Sequence, residues 1–352
     1  MIARRKTTTV RAGSVKIGSG APIVVQSMTK VATTDIARCV RQINRLAAAG
    51  CRLVRVAVPR AADTAALAKI VPKVAVPLIA DVHFSPARAI EAMEAGAAKI
   101  RLNPGNITNR RDILRIIDAA AMHKTAVRIG VNEASIRGTK ARDVPPARRT
   151  ALMLREMTGY IRLFEDRGFT RIVLSAKSSD TVRTIEVNRS IAAAFDYPMH
   201  LGLTHAGLPE DARIPSAAVI GALLAEGIGD TIRVSLAGDP VAEAKMAAEI
   251  LASLHLAGRR RPELIVCPTC GRAEIDVVRL ARRVKKAVAG IDKPLRIAVM
   301  GCVVNGPGEA ADADLAVCAG KNKGFIYRRG RRISIVPEAR IIPALLKQLA
   351  GL

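Results

Sequence analysis

From residue 21 to about 256, a short apolar run and a longer stretch of helical periodicity follow one another eight times. The runs lie at 23–25, 53–58, 78–81, 98–102, 127–131, 172–174, 200–203 and 232–235. Runs of this length between turn residues read as strands. The stretches after them, at 34–49, 63–71, 86–95, 110–123, 147–167, 180–194, 214–226 and 241–254, predict helices. Gly50, Gly96, Gly168 and Gly227 stand where four of these helices close, as a left-handed C′ residue requires. Ser85-Pro86 and Ser179-Asp180 supply start signals. Ahead of the first unit, residues 7–10 and 15–17 flank Ala12-Gly13 and read as a hairpin.

Eight β–α units in about 235 residues predict a closed (β/α)8 TIM barrel, with an open doubly wound sheet as the alternative. No GxGxxG opens the first unit, which argues against a dinucleotide fold. The pattern changes near residues 255–263, where Arg259-Arg-Arg-Pro262 reads as an exposed hinge. The expected domains are therefore 1–257, a substrate-binding barrel, and 258–352, a small α/β domain. In the second, a helix is expected at 273–288, strands at 314–317, 324–327 and 332–336, a turn at Arg329-Gly330, and a last helix at 341–349.

Composition narrows the class. Half of the 352 residues are apolar, enough for a sizeable core, yet Trp is absent, so that core is aliphatic. No apolar run approaches a membrane span, and Arg4-Arg5-Lys6 is followed by no apolar signal region. Six cysteines in a chain of this length form no disulfide scaffold; Cys39 and Cys51 read as buried thiols, and a reducing compartment, the cytoplasm, is expected. The formal charge of +26 favours anionic partners. It does not favour nucleic acid, because the basic residues are spread along the chain without an aromatic stacking platform or a recognised motif.

Barrel chemistry sits where strands run into βα loops. Those ends carry Gln26 and Ser27, then Arg55, Asp81 and His83, and Arg101 with Asn103. Later ends carry Arg128 and Asn132, Ser175 and Lys177, Thr204 and His205, and Arg233 with Ser235. Arg55, Arg101, Arg128 and Lys177 recur at equivalent positions and converge four cations on one mouth, a site for a multiply anionic ligand such as a diphosphate. The polar partners Asn103, Asn132 and Ser175 read as ligand contacts or as loop caps.

Beyond residue 258 the informative stretches are Cys267-Pro-Thr-Cys270-Gly-Arg272 and Gly301-Cys302-Val-Val-Asn305-Gly-Pro-Gly-Glu309. Each follows an apolar run, which places three thiols and a carboxylate on two strand-end loops. Zinc held structurally would ordinarily show a second CxxC or a His pair. Three thiolates with a harder, displaceable carboxylate, Glu309, suit a [4Fe–4S] cluster with one iron open to substrate. Cys318, in a strand-like run, is the competing fourth ligand, and a structural zinc or a redox thiol pair is the competing use of the CxxC.

These two motifs, with Val25-Gln-Ser-Met-Thr29, closely resemble the 4-hydroxy-3-methylbut-2-en-1-yl diphosphate synthase family of isoprenoid biosynthesis, nearly end to end. The resemblance implies a [4Fe–4S] domain like half of a sulfite or nitrite reductase cluster domain. It also implies reductive opening and dehydration of 2-C-methyl-D-erythritol 2,4-cyclodiphosphate, and a head-to-tail homodimer. An acidic electron carrier, flavodoxin or ferredoxin, is expected; from Gly258 onward 19 basic residues face 8 acidic ones. Asn305 would position a substrate oxygen. The family's strand-seven motif resembles LGxTEAG, whereas this chain reads Leu201-Gly-Leu-Thr204-His205-Ala-Gly207. His205 then replaces the family acid as proton donor; the alternatives are Glu210, or a diverged paralogue of altered activity. From other classes, a zinc-stabilised basic nucleic-acid-binding protein and a barrel aldolase with a structural cluster remain.

Overall fold

The computed structural model describes residues 2–136, 144–204, 207–258 and 262–352. His205 and the hinge arginines 259–261 lie outside the described residues. The chain forms two compact units, Met1–Ala257 and Gly258–Leu352.

The first unit opens with a hairpin, β1 (Val10–Ala12) and β2 (Val15–Ile17), whose first strand starts three residues later than expected and whose turn is two residues tighter, with Gly13 at φ +58°. Eight parallel strands follow: β3 (Val24–Met28), β4 (Leu53–Ala57), β5 (Leu78–Asp81), β6 (Lys99–Leu102), β7 (Ala126–Asn132), β8 (Ile172–Lys177), β9 (His200–Leu201) and β10 (Thr231–Ile232). They pair in the order β8-β7-β6-β5-β4-β3-β10-β9, and a parallel bridge between Leu174 and Met199 joins β8 to the start of β9. The sheet is thus a nearly closed (β/α)8 barrel, as the sequence predicts. Valines and isoleucines on the strands pack outward against the helix layer. Val10, Ala12, Val15 and Ile17 of the hairpin cluster with Val24, Leu53, Ala126 and Val173 near the strand starts, plugging that end.

The helices are α1 (Ile36–Ala48), α2 (Ala61–Ile70), α3 (Pro86–Glu94), α4 (Arg110–Met122), α5 (Pro146–Glu165), α6 (Thr181–Ala194), α7 (Pro209–Ala225) and α8 (Pro240–Ser253). Ser85, Asn109, Asp180 and Asp239 cap α3, α4, α6 and α8 through side-chain oxygens. The four expected C′ glycines all have positive φ. Helix α7 starts five residues earlier than the periodicity indicates. Pro209 occupies its first turn, and Pro215 lies within the helix at the cost of one backbone hydrogen bond.

The second unit is a five-stranded sheet ordered β11 (Glu263–Val266), β12 (Arg296–Met300), β13 (Leu315–Gly320), β14 (Lys323–Arg328) and β15 (Arg331–Pro337). The first three are parallel and the last two antiparallel. Arg329 and Gly330, both at positive φ, make the tight turn between β14 and β15. Helices α9 (Val277–Ala287) and α11 (Ile341–Leu349) cover one face through Leu280, Val284, Ile341 and Leu345. On the other face the single turn α10 (Gly306–Glu309) packs by way of Ala310 beside Met300 and Cys318.

Candidate functional site

A cavity of about 220 Å³ opens at the C-terminal ends of the barrel strands. It is lined by Arg55, Asp81, His83, Arg101, Arg128, Asn132, Ser175, Lys177, Thr204 and Ser235, with Leu203 and Arg233. Parallel pairing brings them together: Asp81 stands opposite Arg101, Arg101 opposite Arg128, and Asn132 opposite Lys177. Two glycines make the room. A Cβ on Gly202 would lie 2.5 Å from the Arg233 carbonyl and 2.8 Å from Lys177 Nζ; one on Gly130 would lie 2.9 Å from Ser175 Oγ.

Positive charge dominates this cavity. Among the described residues Asp81 is its one carboxylate, 3.7 Å from Arg55, 3.8 Å from Arg101 and 3.5 Å from His83. Burial alone would raise the Asp81 pKa, but Arg55, the His83 hydrogen bond and Arg101 hold it well below the usual carboxylate range. His83 is fixed from its far side by the Asn106 amide at 3.0 Å. Burial, then the neighbouring cations, depress Lys177 well below the ordinary lysine value and bring Arg55 down to about 10. Arg128 is 2 % exposed, and its Nε and Nη1 have no hydrogen-bond partner among the described residues. Buried donors without acceptors are costly, so this guanidinium is set up for a ligand the protein does not itself supply.

Arg233 supplies a fifth cation. The sequence marks it as a strand-end residue without grouping it with the other four. Asn103 does not line the cavity. Its amide bonds Ser135 Oγ and Asn106 and accepts from Gly105 N–H, closing the loop after β6. Glu210 is exposed in the first turn of α7 and does not line the cavity. Beneath the mouth lies a polar layer that the sequence reading did not identify. Lys99 Nζ reaches Gln26 Oε1 at 3.5 Å, Gln26 Nε2 reaches His200 Nε2 at 3.3 Å, and His200 Nδ1 reaches Thr231 Oγ1 at 2.8 Å.

In the second unit, Cys267, Cys270, Cys302, Asn305 and Glu309 line a single cavity of about 90 Å³, with Arg272 at its edge. Cys267 follows β11 and accepts the Gly301 N–H at 3.2 Å. The Cys302 thiol is shifted toward thiolate by the backbone N–H groups of Asn305, Val304 and Gly306, and Cys270 by the backbone and side chain of Arg272. Cys318 differs. It is buried within β13, does not line the cavity, and burial pushes its thiol up to about 12. A Cβ on Gly306 would lie 3.1 Å from its sulfur, so the glycine lets α10 rest on Cys318. Among the described residues, no three His, Cys, Asp or Glu side chains gather closely enough for one metal ion. By its chemistry, a lining of three thiols and a carboxylate is a donor set that fits a sulfur-rich iron group.

The description GcpE TIM-barrel domain matches residues 7–248, and GcpE protein C-terminal domain matches residues 263–351. The chain is 44 % identical to the 4-hydroxy-3-methylbut-2-en-1-yl diphosphate synthase (flavodoxin) of Dehalococcoides mccartyi strain CBDB1, covering all of both chains. It is 47 % identical to the synthase of the same name from Salinispora tropica, over 98 % of this chain and 88 % of the relative. Solved dihydropteroate synthases from Yersinia pestis and Xanthomonas albilineans share the barrel fold. Their TM-scores are 0.51 and 0.52 at 15 % and 18 % identity, over 71 % and 70 % of this chain and 98 % and 99 % of theirs. Over both its barrel and its C-terminal unit, the chain belongs to the GcpE family.

Proposed function

We infer that the protein is an oxidoreductase with the activity for which its relatives are named, forming 4-hydroxy-3-methylbut-2-en-1-yl diphosphate. The substrate is 2-C-methyl-D-erythritol 2,4-cyclodiphosphate, whose ring is opened with uptake of two electrons and loss of water. The observation that carries this reading is Arg128, a buried guanidinium with unpartnered donors among four further cations. A diphosphate supplies the missing acceptors and charge. Arg55, Arg101, Arg128, Lys177 and Arg233 would hold it and stabilise the phosphate charge released on ring opening. Ser175, Asn132, Thr204 and Ser235 offer neutral hydrogen bonds, and Asp81 orients Arg55, Arg101 and His83. His205 would donate a proton in place of the family acid.

Cys267, Cys270, Cys302 and Glu309 would hold a [4Fe–4S] cluster, with Glu309 as the displaceable ligand and Asn305 beside it. When bound, the cluster supplies the electrons and a Lewis-acidic iron. The donor would be an acidic carrier such as the flavodoxin of the relatives' names, and the working assembly a head-to-tail homodimer. The test is anaerobic purification of the full chain, iron and sulfide analysis, and a reductant-dependent assay on the cyclodiphosphate with the product identified by mass. A colourless, iron-free protein, or no product with reductant present, overturns the reading. Full activity in a strictly monomeric preparation overturns the dimer, and reduction insensitive to salt overturns electrostatic docking of the carrier.

A further inference from the structure

A heavily bonded carboxylate of the barrel lies outside the cavity. Glu243, in the first turn of α8, is 1 % exposed. Its Oε2 accepts from Ser27 Oγ at 2.7 Å and Arg233 Nε at 3.1 Å. Its Oε1 accepts from Arg233 Nη2 at 3.2 Å and Leu236 N–H at 3.1 Å, and pairs with the Lys30 ammonium at 3.0 Å. The carboxylate therefore ties the end of β3 to the segment after β10 and grips Arg233 by two parallel bonds. Among the described residues, Arg233 alone of the five cavity cations is held in this two-point manner: Arg55 and Arg101 reach Asp81 only at 3.7 and 3.8 Å, and Arg128 has no acceptor there for Nε or Nη1.

We propose that Glu243 is a positioning residue that fixes the Arg233 guanidinium in the orientation needed to take one phosphate of the diphosphate. A free arginine side chain at this place would lose rotamer entropy on binding anion; a paired one has already lost it. The inference rests on the diphosphate reading of the cavity. It also makes a prediction opposite in sign to simple electrostatics. A negative charge behind an anion site weakens that site through space, so deleting it would tighten binding if charge were its only effect. As a positioning residue, its loss weakens binding.

The experiment is calorimetric titration of inorganic pyrophosphate into the anaerobically purified full chain. Wild type binds, and Arg128→Ala binds less tightly, on the diphosphate reading. Glu243→Gln is expected to cost roughly tenfold in affinity, the effect of one hydrogen bond to a charged group. In an Arg233→Ala background the same change should cost less than about twofold, because the residue it acts through is gone. In turnover assays Glu243→Gln should raise KM by a similar factor with a smaller change in kcat. Tighter or unchanged binding by Glu243→Gln, or an equal loss in both backgrounds, overturns the positioning role while leaving the diphosphate reading intact. If wild type does not bind, or Arg128→Ala binds as wild type does, the diphosphate reading falls and takes this inference with it. Should Glu243→Gln not fold, Arg233→Lys keeps the charge and removes the two-point grip; wild-type affinity in that variant overturns the proposal.

Discussion

The two cavities of this protein are built by opposite means. The barrel cavity is made of charged side chains on strand ends, largely buried and set by parallel register, so its rigidity is that of the sheet. The C-terminal cavity is made of loops, with Cys270 exposed, Cys267 and Cys302 half-buried, and Glu309 on a single helical turn. One carries uncompensated charge into the interior, which costs stability. The other keeps its reactive groups near solvent. On the proposed function, a preformed anion site and a site that a cofactor would cross-link are joined in one chain, and each should respond differently to substitution.

The sharpest way to separate them is Cys302→Ser. It should abolish cluster binding and turnover, seen as loss of iron, sulfide and visible absorption, while pyrophosphate affinity stays at the wild-type value. A variant that loses both would show that the cavities do not act independently. On the barrel side, His205→Ala should reduce kcat by about a hundredfold, the usual scale for a general acid. His205→Glu, which restores the family acid, should keep turnover near the wild-type value. Wild-type turnover in His205→Ala would remove the role.

Arg128→Ala tests the contrast from the energetic side. Loss of hydrogen bonds from a charged donor should weaken pyrophosphate binding by about 2 kcal/mol, roughly thirtyfold. The ligand-free Arg128→Met protein should at the same time melt higher than wild type, since an uncompensated buried cation has been removed. Weaker binding combined with a lower Tm would mean that Arg128 supports the fold and is not held in readiness for a ligand.

The contrast also explains what the sequence discloses. The barrel is legible because eight short apolar runs alternate with helices, and most boundaries move by only a residue or two. The C-terminal motifs are legible because their chemistry is local: CxxC and GCVVNGPGE each carry spacing, turn glycines and ligands within nine residues. The barrel site is assembled by register between distant segments. Arg55, Arg101, Arg128 and Lys177 could be found by their place at strand ends, and Arg233 by the same rule. Their partners could not. Glu243 looks like any acid in a first helical turn, and Lys99 looks like a polar residue at a strand start. Only three-dimensional pairing shows that one grips Arg233 and the other lies fully buried. Pro215 hides the true start of α7, because a proline inside a helix has the same sequence signature as one that begins it.

Lys99 provides the finest test of the claim that the barrel interior is short of negative charge. It is 0 % exposed, and its one hydrogen bond among the described residues is to a neutral acceptor, Gln26 Oε1. Burial first, then Arg128 and Arg55, lowers its pKa well below the ordinary 10.5. Between the folded and unfolded values, the unfolded chain binds a proton that the folded chain does not, so this residue makes stability rise with pH across that window. Below the folded value, the full cost of a buried ammonium remains. Lys99→Met removes the dependence. Its Tm advantage over wild type should therefore shrink as pH rises through that window toward 10.5, by roughly 2–4 °C for each kcal/mol at this domain size. A gap independent of pH would mean that Lys99 is already compensated within the barrel, and that the excess of positive charge is confined to the residues lining the mouth.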